Sequence, residues 1–203
     1  EESTAWPYVT SFDNGGLGFD LKWNMGWSHD TLEYVRQDPY FRKYDHDKLI
    51  FSLSYAFAEK YILPVSHDDV VHLKSSLAEK MFGSSEQKLA GVRAYLGYMM
   101  THPGKKHTFM GCEIASFFEW SHTSGIDFSA LECDMHAKFQ LYISSLNNFY
   151  LAHPELWQCD FQASGFEWID ANDKERGIIS FKRVDAYGNK LYVMINFMPT
   201  VTE

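Results

Sequence analysis

The sequence predicts an α/β fold: a strand–loop–helix part with a parallel sheet, followed by an antiparallel β module. Three observations lead there. From Asp13 to about Pro154, short apolar runs alternate with amphipathic helical patterns, the order that builds parallel sheets. After Leu156 the pattern changes to three strand-like stretches joined by Asp- and Gly-bearing turns, which reads as antiparallel hairpins. The chain of 203 residues is 45% hydrophobic, enough to bury a real core.

The elements follow in order. Asp13 to Trp27, with four glycines, reads as structured loop and short strand, and Asp30 to Gln37 as a short helix ended by Pro39. A second helix is expected from Asp45 through Phe57. Tyr61–Val65 is a short buried strand that runs into the polar His67-Asp68-Asp69. Ser84 and Gln87 form a capping box ahead of Leu89, Val92, Leu96 and Met99, and His102-Pro103-Gly104 ends that helix. Thr108–Gly111 is a further strand candidate. A long helix is expected with Asp134 as N-cap and a stripe of Met135, Phe139, Tyr142, Leu146 and Phe149. The last strands are placed at 166–169, 177–184 and 190–197, with turns at 170–175 and 185–189. The change of pattern divides the chain into 1–156 and 157–203.

Composition narrows the function. Eighteen Lys and Arg against 27 Asp and Glu give a net charge of −9, which argues against nucleic-acid and anionic-membrane partners. No apolar run reaches the roughly 18–20 residues of a membrane span. Cys112, Cys133 and Cys159 are odd in number and lack CxxC spacing, so a reducing, soluble compartment is expected. The nine histidines show no HExxH spacing, and there is no GxSxG, P-loop or GxGxxG motif; no metal site is expected. The aromatic content of 17% hints at sugars, whose apolar faces stack on rings. The opening residues Glu1-Glu2-Ser3-Thr4 read as the continuation of a longer protein.

In parallel α/β folds chemistry gathers where strands end. Three such places carry acids: Glu1-Glu2, His67-Asp68-Asp69, and Glu113. Carboxylates so placed suit glycosidic-bond chemistry, in which one protonates the leaving oxygen and another attacks or activates water. Each has a plainer reading as a surface pair, a loop residue or a salt-bridge partner. His72, Lys74 and His122 are expected to be loop scaffolding.

Four segments carry a resemblance to a known family. Gly15 to Leu32 (GGLGFDLKWNMGWSHDTL), Leu63 to Leu77 (LPVSHDDVVHLKSSL), Pro103 to His122 (PGKKHTFMGCEIASFFEWSH) and Asp173 to Arg183 (DKERGIISFKR) resemble the 1,4-α-glucan (glycogen) branching enzymes of the α-amylase superfamily. The resemblance implies the C-terminal half of a (β/α)₈ barrel, strands five to eight, in 1–156, and part of an all-β domain in 157–203. It implies that Glu1 is the general acid/base, with Glu2 its neighbour, that Asp68 stabilises the transition state, and that His67 hydrogen-bonds the sugar. The family's nucleophilic Asp lies upstream of Glu1. The family usually reads HDEVVHGKKS and FMGNEF; here Asp69, Leu73 and Ser75 replace Glu, Gly and Lys, and Cys112-Glu113-Ile114 stands for the last three residues of the second motif.

The activity so implied is a retaining double displacement that cuts an α-1,4-glucan and transfers the segment to a 6-hydroxyl in glycogen biosynthesis. It takes an α-glucan substrate, needs no cofactor, and would run in the cytoplasm. An α-amylase-type hydrolase and a non-catalytic glucan-binding fragment are the alternatives. The isolated 203 residues are expected to be inactive, because the nucleophile is missing.

Overall fold

In the computed structural model, which describes residues 9–200, the first sheet consists of β1 (Lys22–Trp23), β2 (Tyr61–Pro64) and β3 (Lys105–His107) in that order, all parallel. Trp23 pairs with Ile62, and Ile62, Leu63 and Pro64 pair with Lys105, Lys106 and His107. Helix α1 (Met25–Arg36) connects β1 to β2, and α4 (Ser85–Thr101) connects β2 to β3. Between them lie the single turns α2 (Asp47–Ile50) and α3 (His67–Val70), and after β3 comes α5 (Asp134–Ala152). The second sheet is an antiparallel meander of β4 (Phe166–Asp173), β5 (Ile178–Val184) and β6 (Lys190–Asn196).

Helix α4 starts as expected: Ser84 and Gln87 exchange bonds, the Ser84 N–H donating to Gln87 Oε1 at 2.9 Å. Several boundaries differ. Helix α1 begins at Met25 rather than Asp30, because Asn24 Oδ1 accepts from the Trp27 N–H at 2.9 Å and caps it. The helix expected over Asp45–Phe57 is instead broken into α2 flanked by 3₁₀ turns at Pro39–Tyr44 and Phe51–Ser54. Serine side chains compete with the backbone there: Ser54 Oγ donates to the Phe51 carbonyl, and Ser52 Oγ turns to His102. Strand β3 lies at Lys105–His107, not Thr108–Gly111. Two lysines hid it from a search for apolar runs. Their ammonium groups find partners, Lys105 on Asp160 Oδ2 at 2.9 Å and Lys106 on the carbonyls of His102 and Gly104. In α5, Asp134 is the first helical residue and pairs with Lys138 at 2.6 Å; the cap position belongs to Cys133, without a side-chain bond. Strand β4 continues through Asp170–Asp173, expected as a turn, by way of register shifts that act as bulges.

One hydrophobic core runs under both sheets. Tyr98, fully buried on α4, links them: its ring lies 6.4 Å from Trp27 on α1, 6.4 Å from Phe181 on β5 and 5.8 Å from Phe197. Buried Arg42 ties the same region by donating to the carbonyls of Val35, Gln37 and Phe197. The three cysteines are free thiols.

Candidate functional site at the strand ends

Because β1, β2 and β3 run parallel, their carboxyl ends lie side by side. The rings of Trp23, the last residue of β1, and His107, the last of β3, sit 5.5 Å apart. Past Pro64 the pairing continues for one more bond, the Val65 N–H donating to the His107 carbonyl at 2.8 Å. The chain then turns sharply into α3. Ser66, fully buried, caps this turn. Its Oγ accepts from the Asp68 N–H at 3.2 Å, and the Asp69 carboxylate reaches back to accept from the Ser66 N–H at 2.8 Å. Asp69 is thereby turned inward, where Ser28 of α1 also donates to it at 3.4 Å.

With Asp69 committed to the cap, His67 and Asp68 are left pointing out of the strand ends. Both side chains are half-exposed, with His67 Nε2 3.4 Å from Asp68 Oδ1. The His67 ring lies 6.0 Å from Phe109, and Phe109 lies 5.3 Å from Trp120, edge to face. Next to Trp120 is a cavity of about 430 Å³ lined by Met110, Ser116, Phe118, Ser124 and Asp127 among others. A second cavity, of about 390 Å³, adjoins Asp68 on the α1 side and is lined by His29, Arg36, Lys74 and Lys80. Burial, together with the nearby Arg36 charge, lowers the Lys80 ammonium to about 8. The arrangement offers a half-exposed imidazole–carboxylate pair beside aromatic faces, suited to a polyhydroxylated ligand with apolar ring faces.

Of the residues singled out in the sequence, His67 and Asp68 are neighbours on one turn, as their position after a strand requires. Glu1 and Glu2 lie outside the described residues. Glu113 turns onto its own loop, where its carboxylate accepts from the Gly111 N–H at 2.8 Å. His72 and His122 are exposed on loops. Lys74 donates to the Asp68 carbonyl at 2.6 Å. Among the described residues no group of three or more His, Cys, Asp or Glu gathers as a metal site would require. No helix among them is long and apolar enough to cross a membrane. Phe109, Trp120, Glu119 and Lys80 had not been singled out. The first two sit in a loop whose aromatic content was the available signal.

No protein-family model matches the chain. Curated proteins do. The 1,4-alpha-glucan branching enzyme GlgB of Halothermothrix orenii (strain H 168) is 50% identical over 203 residues, covering 99% of this chain and 32% of that protein. GlgB 2 of Clostridium perfringens (strain SM101) is 48% identical over 204 residues, 99% of this chain and 31% of that protein. GlgB of Burkholderia lata is 48% identical over 200 residues, 98% of this chain and 27% of that protein. The chain is homologous to a segment of the branching enzymes. It spans under a third of the length of these relatives. Among solved structures, AmyP in complex with maltose matches with a TM-score of 0.61 at 13% identity, covering 89% of this chain and 40% of that one. The alpha-amylase from H. orenii gives 0.53 at 15%, covering 93% and 41%. The mixed α/β fold with one parallel and one antiparallel sheet is therefore shared with part of each of these two structures.

The departures from the usual branching-enzyme pattern now have physical settings. Asp69 supplies the carboxylate of the α3 cap. Cys112 is buried in the core, and burial pushes its thiol up to about 12, so it serves as a small apolar residue. Leu73, in the usual place of Gly, adopts the left-handed φ of 66° that glycine would take without cost, and its side chain stands 97% exposed.

Proposed function

We propose that this chain is the later part of the catalytic unit of a 1,4-α-glucan branching enzyme. The whole protein would cut an α-1,4-glucan and transfer the released segment to a 6-hydroxyl. The observation that carries this reading is the 48–50% identity to branching enzymes over 99% of the chain. In this reading β1, β2 and β3 are barrel strands six to eight, residues 1–156 complete the barrel, and 157–203 begin the all-β domain. The partner is an α-1,4-glucan; neither nucleic acid nor membrane is invoked, and the setting is the cytoplasm.

Glu1 donates the proton to the leaving oxygen and later takes one from the attacking 6-hydroxyl. Asp68 holds sugar hydroxyls as positive charge develops at the anomeric carbon, and His67 donates a hydrogen bond to the same ring. The half-exposed position of His67 and Asp68, beside Phe109, supports these roles. The nucleophilic carboxylate comes from upstream of this chain, so the isolated 203 residues are inactive. No cofactor is needed, since carboxylates supply both acid and nucleophile.

The test is the whole protein on linear amylose, with iodine absorbance and reducing ends followed together. Falling iodine colour without new reducing ends is the expected result. A parallel rise in reducing ends would establish an amylase-type hydrolase instead. If neither signal moves, both enzymatic readings fail, leaving a non-catalytic glucan-binding segment.

A further inference from the structure

The segment that follows α3 has an unusual backbone. His72, Leu73 and Ser75 take φ values of 60°, 66° and 68°, a left-handed conformation that non-glycine residues enter only at a cost. Three such residues within four positions do not hold that shape unaided. What holds them comes from another loop. Glu119, beyond β3, accepts from the Leu73 N–H through Oε2 at 3.2 Å and from the Ser75 N–H through Oε1 at 2.5 Å. Left-handed residues turn successive N–H groups to one side, making a concave anion seat, and here a side chain of the same molecule fills it. Between the two clamped amides, the Lys74 carbonyl accepts from Lys80 Nζ and from Arg36 Nη2. Lys74 Nζ in turn donates to the Asp68 carbonyl at 2.6 Å. Contacts thus run without a gap from Glu119 through residues 73–75 to the backbone of Asp68.

We propose that Glu119 is a positioning residue: its carboxylate keeps His72, Leu73 and Ser75 left-handed and, through Lys74, holds the turn that presents His67 and Asp68. This rests on the branching reading for its consequence in rate, but not for the clamp itself. Leu73 makes the clamp necessary, because leucine released from it returns to negative φ, whereas glycine would still populate the left-handed region.

The experiment uses the whole protein with Glu119→Ala, Glu119→Gln, Leu73→Gly and the double variant Glu119→Ala/Leu73→Gly. Amide exchange of the 71–76 segment is followed by mass spectrometry beside branching kinetics. Glu119→Ala should speed exchange there at least roughly 10-fold, as loss of a charged acceptor for two amides requires. It should lower kcat roughly 10- to 100-fold, the scale of a small misplacement of reacting groups, with KM changed by less than about threefold. Glu119→Gln, which keeps one acceptor oxygen, should fall between. In the Leu73→Gly background the kcat loss from Glu119→Ala should shrink severalfold, which a general loosening of the fold would not produce. Unchanged exchange in Glu119→Ala overturns the clamp. Faster exchange with full kcat, or an equal loss in both backgrounds, overturns the positioning role. Should the wild type make no branches, the functional reading falls, while exchange still decides the clamp.

Discussion

The two ends of the parallel sheet are both held by charged groups, but in opposite ways. At the amino end of β3, Arg183 and Asp160 are 0% and 1% exposed and bond at 3.0 Å. Arg183 also donates to the carbonyls of Thr101 and Gly165, and Asp160 also accepts from Lys105 and from the Gly104 N–H. Every member of that junction is satisfied inside the protein. At the carboxyl end the Glu119 clamp and the His67–Asp68 pair are half open to water. Water competes with such pairs, and they contribute little to stability. In the proposed function they decide instead where the Asp68 carboxylate points. The fold thus keeps its buried charge network at one end of the strands and the half-exposed pair proposed to meet the glucan at the other.

The sharpest way to break this contrast is at the buried end. Arg183→Met in the whole protein leaves Asp160 buried with Lys105 as its remaining ion-pair partner among the described residues, and should cost about 3–5 kcal/mol, read as a lower urea midpoint. The half-exposed end should respond in the other currency. Asp68→Asn should lower branching kcat roughly 10²- to 10³-fold, the scale of a lost transition-state contact, while shifting stability by less than about 0.5 kcal/mol. If Asp68→Asn unfolds the protein instead, the two ends do not differ in kind.

The same contrast explains what could be read from the sequence. The antiparallel strands were legible almost to the residue at β5 and β6, and α4 from its Ser84–Gln87 cap, because seven-residue strands and a 17-residue helix carry long periodic signals. The parallel strands have two to four residues, too few for any period, and β3 is written largely in lysine. His67 and Asp68 were legible as polar residues just after an apolar run. The buried partnership of Asp160 with Arg183 spans 23 residues and the Glu119 clamp spans 44 and 46. No local pattern encodes either; the left-handed residue replacing Gly at position 73 was the one trace of the clamp.

A pH measurement sharpens the comparison from the junction side. His102, fully buried beside Arg183's partner Thr101, sets its Nδ1–H on the Pro103 carbonyl at 2.8 Å, so its Nε2 is the acceptor for the Ser52 hydroxyl at 3.0 Å. Burial lowers its pKa to about 3. Below about pH 6.5 the unfolded chain takes up a proton that the folded one does not, so stability falls as pH drops from there toward 3. The slope for this one group is at most about 1.4 kcal/mol per pH unit. His102→Gln should flatten the urea-midpoint profile between pH 7 and 5. An unchanged slope would assign the acid sensitivity to other groups.

The smallest expected effect lies where the two regimes meet. Ser66 is fully buried, like the junction, yet caps the turn that carries the exposed pair. Ser66→Ala removes the acceptor of the Asp68 N–H and one donor to Asp69, leaving the Ser28 hydroxyl and the backbone N–H at position 66 on that carboxylate. The loss of such a cap costs about 1 kcal/mol. If the cap alone orients α3, kcat should fall with stability in this variant. If the Glu119 clamp orients it, Ser66→Ala should cost stability while kcat stays within about twofold, since Lys74 still holds the Asp68 carbonyl. We expect the second outcome: a one-turn helix has too few bonds of its own to be rigid, so its aim comes from the contacts made outside it.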